Sequence, residues 1–361
     1  MFTLFVVFFL FYKLFFLQHP LPVHEELTTE QFIKRHLTNE LGLLSTNLKN
    51  GSTDVSIPSG KDSLSESLGL WMQYSVRKQD KILFHQSYNI LKQYFLTDEH
   101  TVVWKVEEDG TQAVLANALI DDLRIIEALL QAHELWGDYS YKLLALDLAK
   151  SIVKKNEYKG YLVDFYDPVS NSPGTSITLS FIDFKVLQTL QDMDIIEDDI
   201  VSNLLHLYEI PHQQELFYPY SYRIDEKKYV YQNEVHMIDQ LYIAYHLAKM
   251  NRVHETFIHF LKDEMTKGKI YGRYDRITHF PTVNYESPAI YGLAILLSLE
   301  ANETELSMKL YHRLKEMKIQ ENDHPYAGGY INQKTYETHI FDNLLPLLAE
   351  RMMKNEGLLH E

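Results

Sequence analysis

Acidic residues recur at the starts of apolar helical segments, and this pattern is the feature of the sequence that could support chemistry. Glu66 lies near the start of SLSESLGLWMQYSV (63–76), and Asp122, Glu234 and Glu286 have similar positions farther along the chain. The start of a helix holds a carboxylate readily, because unpaired N–H groups and the positive end of the helix dipole face it. Each acid alone could therefore only stabilise a helix. If several of them line one cavity, burial and mutual repulsion separate their pKa values, as acid–base chemistry requires.

The segments that would carry these acids recur at regular intervals. Six apolar segments begin near Glu66, Asp122, Thr178, Glu234, Glu286 and Thr338, at intervals of 56, 56, 56, 52 and 52 residues. Each is apolar around most of its circumference, which is typical of a helix buried on several sides. Six amphipathic partner helices are predicted at 27–44, 82–96, 139–153, 197–208, 254–265 and 303–317. Six such pairs without a polar capping repeat predict an all-α fold, an (α/α)6 barrel whose inner helices begin at one end.

Composition excludes several classes of partner and chemistry. A formal net charge of −16 argues against binding to nucleic acid, which requires basic patches. The chain has no cysteine, so disulfides, cysteine-ligated zinc, lipidation on cysteine and thiol catalysis are excluded. The 17 histidines are scattered and form no HExxH motif, so we predict neither a metal nor a cofactor. We expect a monomer that acts on a neutral or cationic polymer.

The first 17 residues, MFTLFVVFFLFYKLFFL, are apolar except for Lys13. They lack the basic start and small-residue cleavage site of a signal peptide, so residues 1–17 are predicted to be an uncleaved membrane anchor. The alternatives are a start codon placed too early or a segment buried in a larger assembly. Residues 18–26 are predicted to be a linker and residues 27–361 a catalytic domain.

Three segments resemble glycoside hydrolase family 8: SESLGLWM (65–72), IDDLRIIEALLQA (120–132) and LSFIDFKVLQTL (179–190). The first is similar to the family's S-E-G-x-G-Y segment, whose glutamate is the general acid. The second is similar to D-A-D-x-D-I-A, whose acidic residue binds the sugar at the cleavage point. The resemblance therefore implies that Glu66 is the general acid and Asp122 a sugar-binding acid. It also implies the (α/α)6 fold and hydrolysis with inversion of the anomeric carbon.

The sequence departs from the family at several positions. Ser67 replaces a glycine, and Arg124 stands where an acid is usual, whereas Val103-Trp104-Lys105 is similar to the family's W-R element. The family's Y-D-A-x-R-x-P segment, which supplies the general base, should fall at 231–241, which reads YQNEVHMIDQL. Glu234 and Asp239 are equally good candidates for the base, ahead of Asp225. An inverting pair of carboxyl groups stands roughly 6.5–9.5 Å apart, with one protonated and the other ionised.

Sugar binding requires aromatic platforms with hydrogen-bonding tips. Such residues are predicted in or beside the loops at the barrel mouth, together with two charged groups: Trp71, Trp104, Tyr166, Phe181, Tyr218, Tyr220, Tyr222, Tyr274, Tyr285, Arg124 and Glu286. The run FYPYSYR (217–223) in particular favours an exposed loop. Packing of Trp71 against Glu66 would raise the pKa of the acid.

The sequence is most similar to a membrane-anchored branch of family 8 that is encoded beside exopolysaccharide synthesis genes in Gram-positive bacteria. This resemblance implies an extracellular endo-hydrolase of a bacterial exopolysaccharide, held at the cell membrane by a single N-terminal span. The synthesis machinery is then a further expected partner. Two alternatives remain: a catalytically weak toroid that binds polysaccharide during export, and another (α/α)6 enzyme such as a lyase or epimerase.

Overall fold

The computed structural model describes residues 25–49, 60–112, 114–209 and 215–359. These ranges are mostly helical and contain twelve α-helices, which alternate along the chain between an outer and an inner set. The outer helices are α1 (Thr28–His36), α3 (Lys81–Ile90, continued by a π-helical turn, Leu91–Phe95), α5 (Tyr139–Lys155), α7 (Asp198–Glu209), α9 (Glu255–Lys267) and α11 (Thr304–Lys315). The inner helices are α2 (Ser65–Arg77), α4 (Leu119–Trp136), α6 (Phe184–Asp192), α8 (Met237–Ala248), α10 (Pro288–Glu300) and α12 (Phe341–Asn355).

The inner helices pack side by side, each against the next, and α12 packs against α2. Most of them are buried around much of their circumference, as the sequence predicts, but α6 buries only one face. Every residue of α10 from Ala289 to Ser298 is buried, whereas outer helices such as α7 bury only one face. Because each inner helix is separated from the next by an outer helix, the inner helices run in the same direction. Their N-terminal ends, with the loops that precede them, therefore meet at one end of the molecule.

Two helix boundaries differ from the prediction. The segment 27–44 was expected to be one helix, but α1 ends at His36 because the chain then turns at Gly42, whose φ is +82°. The side-chain amide oxygen of Asn39 accepts hydrogen bonds from the backbone N–H groups of Leu41 and Leu43, which stabilises that turn. The inner segment that was expected to begin near Thr178 begins instead with a 3-10 turn. The helix α6 starts after this turn, and the Asp183 side chain caps its N-terminus.

The described residues also contain eleven strands of two or three residues, which the sequence did not predict. They are β1 (Ser63–Leu64), β2 (Lys105–Val106), β3 (Glu157–Tyr158), β4 (Tyr161–Leu162), β5 (Tyr166–Asp167), β6 (Ser172–Pro173), β7 (Ser176–Thr178), β8 (Ser221–Arg223), β9 (Lys228–Val230), β10 (Glu234–His236) and β11 (Arg273–Asp275). All lie in connections that lead into inner helices. The antiparallel pairs β1–β2, β7–β8 and β10–β11 each join two neighbouring connections. The strands therefore brace the end of the molecule where the inner helices begin.

The hydrophobic core consists of two clusters, one mainly from α3 to α7 and the other mainly from α1 and α8 to α12, and α2 contributes to both. Close contact between helices requires a glycine at one position. A Cβ atom on Gly292 of α10 would lie 2.6 Å from the carbonyl carbon of Leu345 in α12.

The predicted anchor, residues 1–17, lies outside the described residues, as does the predicted linker, residues 18–26, except for its last two residues. In the described ranges, no helix is both long enough and apolar enough to cross a membrane.

Candidate active site

Glu66 lies in the first turn of α2 and faces two charged residues of α4. One of them is Arg124, whose Nη1 atom is 3.7 Å from Glu66 Oε1. The same Nη1 donates a hydrogen bond of 2.8 Å to Asp121 Oδ1. The hydroxyl of Ser65, next to Glu66, donates to Asp121 Oδ2 at 2.7 Å. Of these side chains, Glu66 is the accessible one, with 29% of its surface exposed against 5% for Arg124 and 7% for Asp121.

These contacts set the ionisation of Glu66. Desolvation raises its pKa, Arg124 lowers it and Asp121 raises it again, and the result is a pKa of about 7. Burial also raises the pKa of Asp121, against the effects of Arg124 and Ser65. Because Asp121 has the closer contact with the guanidinium, we assign the negative charge to Asp121 and the shared proton to Glu66. Glu66 can therefore hold a proton near neutral pH, as a general acid must.

A second acid, Asp239, reaches the same region from α8. It lies in the first turn of α8, where its Oδ1 accepts a hydrogen bond of 3.0 Å from Ser180. Tyr242 lies three residues later and therefore on the same face of the helix. The ring of Tyr242 is 4.9 Å from the guanidinium carbon of Arg124, which in turn contacts Glu66. Asp239 and Glu66 thus stand at the starts of two inner helices whose facing sides are joined through Tyr242 and Arg124. Burial raises the pKa of Asp239, although Ser180 and His236 oppose this effect.

Asp122 is directed elsewhere. Its side chain is buried and accepts a hydrogen bond of 2.5 Å from Asn117, and it lines a small cavity with Thr101, Lys155 and Asn156. Burial raises its pKa well above the usual value. Consecutive residues of a helix are rotated by about 100° from each other, so only one of two adjacent acids can face Glu66. The structure brings Asp121 rather than Asp122 to Glu66, which corrects the expectation from the family motif.

Three other predicted acids form ion pairs away from this group. Glu234, on β10, pairs with Arg273 at 2.5 Å, and Asp225 pairs with Lys159 at 2.5 Å. Both carboxylates are exposed, and the hydrogen bond from the basic partner lowers the pKa of each. They therefore stay ionised on the surface.

Glu286 precedes α10 but contacts an outer helix. Arg313 of α11 donates to both of its carboxylate oxygens, and Tyr291 also donates to it. Burial acts to raise the pKa of Glu286, but the bonds from Arg313 and Tyr291 lower it. These bonds occupy the carboxylate and join α10 to α11, so the structure gives Glu286 a structural environment rather than the sugar-binding one expected.

The predicted sugar-binding aromatics divide by exposure. Trp71, Tyr218 and Tyr274 are buried in the core, and the Trp71 ring stacks on Tyr74 rather than on Glu66. The Tyr274 hydroxyl donates to Glu264 at 2.6 Å. These three rings present no open face to a sugar, which corrects their assignment as platforms.

The remaining aromatics are half-buried or exposed. Trp104 accepts hydrogen bonds from the backbone and hydroxyl of Ser65 through its carbonyl oxygen, which brings its loop beside Glu66. Phe181 follows Ser180, the hydrogen-bond partner of Asp239. The Tyr220 hydroxyl lies close to Asp239: burial raises the pKa of Tyr220 most, and the Asp239 carboxylate raises it further. Others lie farther from the acids: Tyr166 bonds Asn171, Tyr222 packs on Tyr161 and Tyr229, and Tyr285 is exposed beside Arg273.

Asp164 was not predicted from the sequence. It lies between α5 and α6, and its two carboxylate oxygens accept hydrogen bonds from the backbone N–H and the hydroxyl of Thr178 at 2.6 and 2.8 Å. Burial raises its pKa to about 6, although the bonds from Thr178 oppose the shift. It also acts on the ionisation of Tyr220, and so belongs to the same end of the molecule. No helix-start pattern marks it, because it lies inside the connection between α5 and α6.

The arrangement provides a partly exposed carboxyl group, whose raised pKa lets it hold a proton near neutral pH, and a second carboxyl group at the start of another inner helix, with aromatic side chains around them. Such a pair can donate a proton to one side of a bond and accept one from water on the other. Within the described residues, no three His, Asp or Glu side chains are grouped so that they could hold a metal ion.

Comparison with known proteins found a family and a relative that match this chain. Residues 22–163 match the model of the family described as glycosyl hydrolases family 8. A protein of Bacillus subtilis (strain 168), named "Putative lipoprotein YdaJ", is 38% identical over 333 residues, which cover 91% of this chain and 88% of that protein.

Two solved structures illustrate the range of relatives. A novel α-amylase from Clostridium perfringens superposes with a TM-score of 0.83 and is 29% identical, and the match covers 90% of this chain and 96% of that one. Endoglucanase Cel10 of Klebsiella pneumoniae, a family 8 glycosyl hydrolase, shares the fold with a TM-score of 0.62 at 14% identity, over 91% of this chain and 99% of that one. The family match and the 38% identical relative from Bacillus subtilis show that this chain is a glycosidase that belongs to glycosyl hydrolase family 8.

Proposed function

We propose that this chain is an endo-acting hydrolase that cleaves a polysaccharide with inversion, with Glu66 as general acid and Asp239 as general base. The observation that carries the proposal is the placement of two carboxyl groups, Glu66 and Asp239, at the starts of two inner helices that Arg124 and Tyr242 connect. Desolvation raises the pKa of Glu66 to about 7, with Arg124 opposing the shift and Asp121 adding to it, and burial raises the pKa of Asp239 from the lower ordinary value of an aspartate. The two acids can therefore differ in ionisation at one pH.

In the proposed reaction, Glu66 gives its proton to the glycosidic oxygen as the bond from that oxygen to the anomeric carbon breaks. Asp239 takes a proton from a water molecule, whose oxygen attacks the anomeric carbon from the opposite face. The products are a sugar with inverted configuration and the released alcohol. Asp239 remains protonated and Glu66 ionised until both exchange with solvent. This geometry needs room for water between the carboxyl groups, which an inverting pair provides at roughly 6.5–9.5 Å.

Asp121 lies beside Glu66, in the position that was expected of Asp122. We propose that Asp121 keeps Glu66 protonated. Its hydrogen bonds to Ser65 and Arg124 hold its negative charge next to Glu66. A nearby anion disfavours ionisation of the acid, which preserves the proton for the leaving group.

The polymer is proposed to be a bacterial exopolysaccharide, bound along the aromatic side chains at the end where the inner helices begin. The contact between α12 and α2 supports a closed ring, with residues 27–361 as the catalytic domain. An open cleft at one end of such a ring suits cleavage within a long chain.

We further propose that the enzyme acts outside the cell and is attached to the membrane. The name of the Bacillus subtilis relative, a lipoprotein, supports attachment. Since these 361 residues contain no cysteine to carry a lipid, the apolar residues 1–17 are the segment proposed to make it. Association with the synthesis machinery is proposed from the resemblance to the membrane-anchored branch of family 8.

An α-linked glucan is a second candidate substrate, favoured by the similarity to the Clostridium perfringens α-amylase.

The experiment is to incubate the purified protein with exopolysaccharide from its own host, soluble starch and carboxymethylcellulose. We expect new reducing ends from the exopolysaccharide, and a rapid fall in viscosity that marks internal cleavage. Reducing ends from starch alone would favour the second candidate. Binding without reducing ends would support the non-catalytic toroid, and an unsaturated product that absorbs in the ultraviolet would support a lyase.

A further inference from the structure

Arg124 lies between three inner helices and contacts a group on each of them. It belongs to α4, where it bonds Asp121, and it reaches Glu66 at the start of α2. On its other side its guanidinium carbon lies 4.9 Å from the ring centre of Tyr242 on α8. The residue is only 4% exposed. A guanidinium remains charged at such depth, and its planar fork can hold several partners in fixed directions.

The helix that carries the acid has a glycine at the point where Arg124 approaches. A Cβ atom on Gly69 would lie 3.2 Å from Arg124 Cβ and 3.4 Å from Ile125 Cγ1. Gly69 follows Glu66 by three residues, so this close approach occurs one turn below the acid. Glycine inside a helix costs roughly 0.5–1 kcal/mol relative to alanine. The cost is understandable here because any larger residue would push α4, and Arg124 with it, away from α2.

We propose that Arg124 is a positioning residue that ties the start of α2 to α4 and α8 and so fixes where the Glu66 carboxyl stands relative to Asp239. The inference rests on the proposed function, because Arg124 acts on the reaction only through Glu66. Tyr242 completes the connection, since its ring holds the guanidinium from the same helix face that carries Asp239. Arg124 thus joins the helix of the acid to the helix of the base.

The charge of Arg124 also acts on the ionisation of Glu66. The charged groups that act on Glu66 are Arg124, which lowers its pKa, and Asp121, which raises it, both on α4. From α8, Tyr242 faces the same cluster as a neutral phenol, because burial raises its pKa further above neutrality. His246, one turn along α8, is also uncharged, because burial lowers its pKa to about 4. Arg124 is therefore the cation that opposes desolvation of the acid.

The test compares two variants that both lack the negative charge of Asp121. Asp121→Asn and Asp121→Asn/Arg124→Met both lack the carboxylate of Asp121, so any difference between them is due to Arg124. Removing the two charges together also avoids a buried unpaired carboxylate, which destabilises a protein strongly when one partner of a pair is removed alone. The Glu66 carboxyl is titrated by 13C NMR in each variant, with Glu66→Gln used to assign its signal.

We expect the double variant to titrate about one to three pH units higher than Asp121→Asn, the range for an opposite charge within about 4–6 Å. Equal titration curves in the two folded variants would overturn the electrostatic part of the inference. This readout does not depend on hydrolysis, so it stays informative even if the proposed function fails.

The positioning part is tested with Arg124→Lys, which retains the charge but loses the planar fork. We expect the Glu66 titration to stay within about half a pH unit of the native one, because the charge is kept. We also expect kcat to fall at least about tenfold with little change in KM, because misplacement of a catalytic group affects the transition state most. A native kcat in Arg124→Lys would overturn the positioning role, whatever the titration shows.

Discussion

Adjacent acids at the start of α4 allow a direct test of which carboxylate belongs to the site. Asp121 is hydrogen-bonded to Ser65 and Arg124 beside Glu66, whereas Asp122 is buried against Asn117. Asp121→Asn removes the anion that helps keep Glu66 protonated and frees Arg124 to pair with Glu66. Both effects lower the pKa of Glu66.

The size of the effect follows from the protonated fraction of the acid. With a pKa of about 7, about half of Glu66 is protonated at pH 7. If the pKa falls by about one to three units, as for a change of one neighbouring charge, that fraction falls about 5- to 500-fold. The value of kcat/KM at pH 7 should fall by the same factor, and the pH above which activity declines should move down by about one to three units. In the native enzyme this decline is expected near pH 7.

Asp122→Asn serves as the matched control. Burial raises the pKa of Asp122 well above its usual value and so favours the uncharged form, which an amide of the same shape reproduces while it still accepts the hydrogen bond from Asn117. Activity should stay within about twofold and the free energy of unfolding within about 1 kcal/mol of native. The assay is reducing-end release as a function of pH, with urea denaturation to check folding. Loss of activity in Asp122→Asn together with native activity in Asp121→Asn would refute the placement of Asp121 in the site.

Two further predictions concern groups outside the proposed pair. Lys249→Met should destabilise the fold by about 3–5 kcal/mol in urea denaturation, because Asp183 and Glu127, which Lys249 contacts at 2.6 and 2.8 Å, would remain as unpaired buried carboxylates. A native stability would show that the two carboxylates are compensated elsewhere. Glu234→Gln and Asp225→Asn should keep native kcat/KM, since both side chains are exposed and ion-paired. A hundredfold loss in either variant would make that residue the general base.

The helical fold could be predicted from the sequence because most inner helices are buried around much of their circumference and therefore have long, largely apolar segments. In α10 this burial extends from Ala289 to Ser298. The strands were not predicted, because two- or three-residue strands in connecting loops leave no alternating pattern. The early end of α1 depends on the turn at Gly42, which a helical periodicity does not reveal.

The site was only partly predictable for related reasons. Glu66 was found because it lies at a helix start within a recognisable motif. The choice between Asp121 and Asp122 depends on the rotation of α4 about its axis, and the sequence places two acids side by side there. Tyr274 was taken for a surface tyrosine, but its hydroxyl reaches Glu264 in the interior, a contact that only the packing of α9 against β11 creates. Asp164 escaped notice because a loop acid carries no periodic signal.

The central claim is that Glu66 donates a proton to the leaving group. The most direct test is whether the loss of activity in Glu66→Gln depends on the leaving group. The measurement compares kcat of native enzyme and Glu66→Gln on the cleaved polysaccharide and on a dinitrophenyl glycoside of a matching oligosaccharide. The amide cannot supply a proton, and general acid catalysis contributes typically about 10²–10⁴-fold. We expect a loss of at least that size on the polysaccharide and a small loss on the dinitrophenyl glycoside, whose leaving group departs without protonation. Equal losses on both substrates, or native activity on the polysaccharide, would contradict the role of Glu66 as general acid.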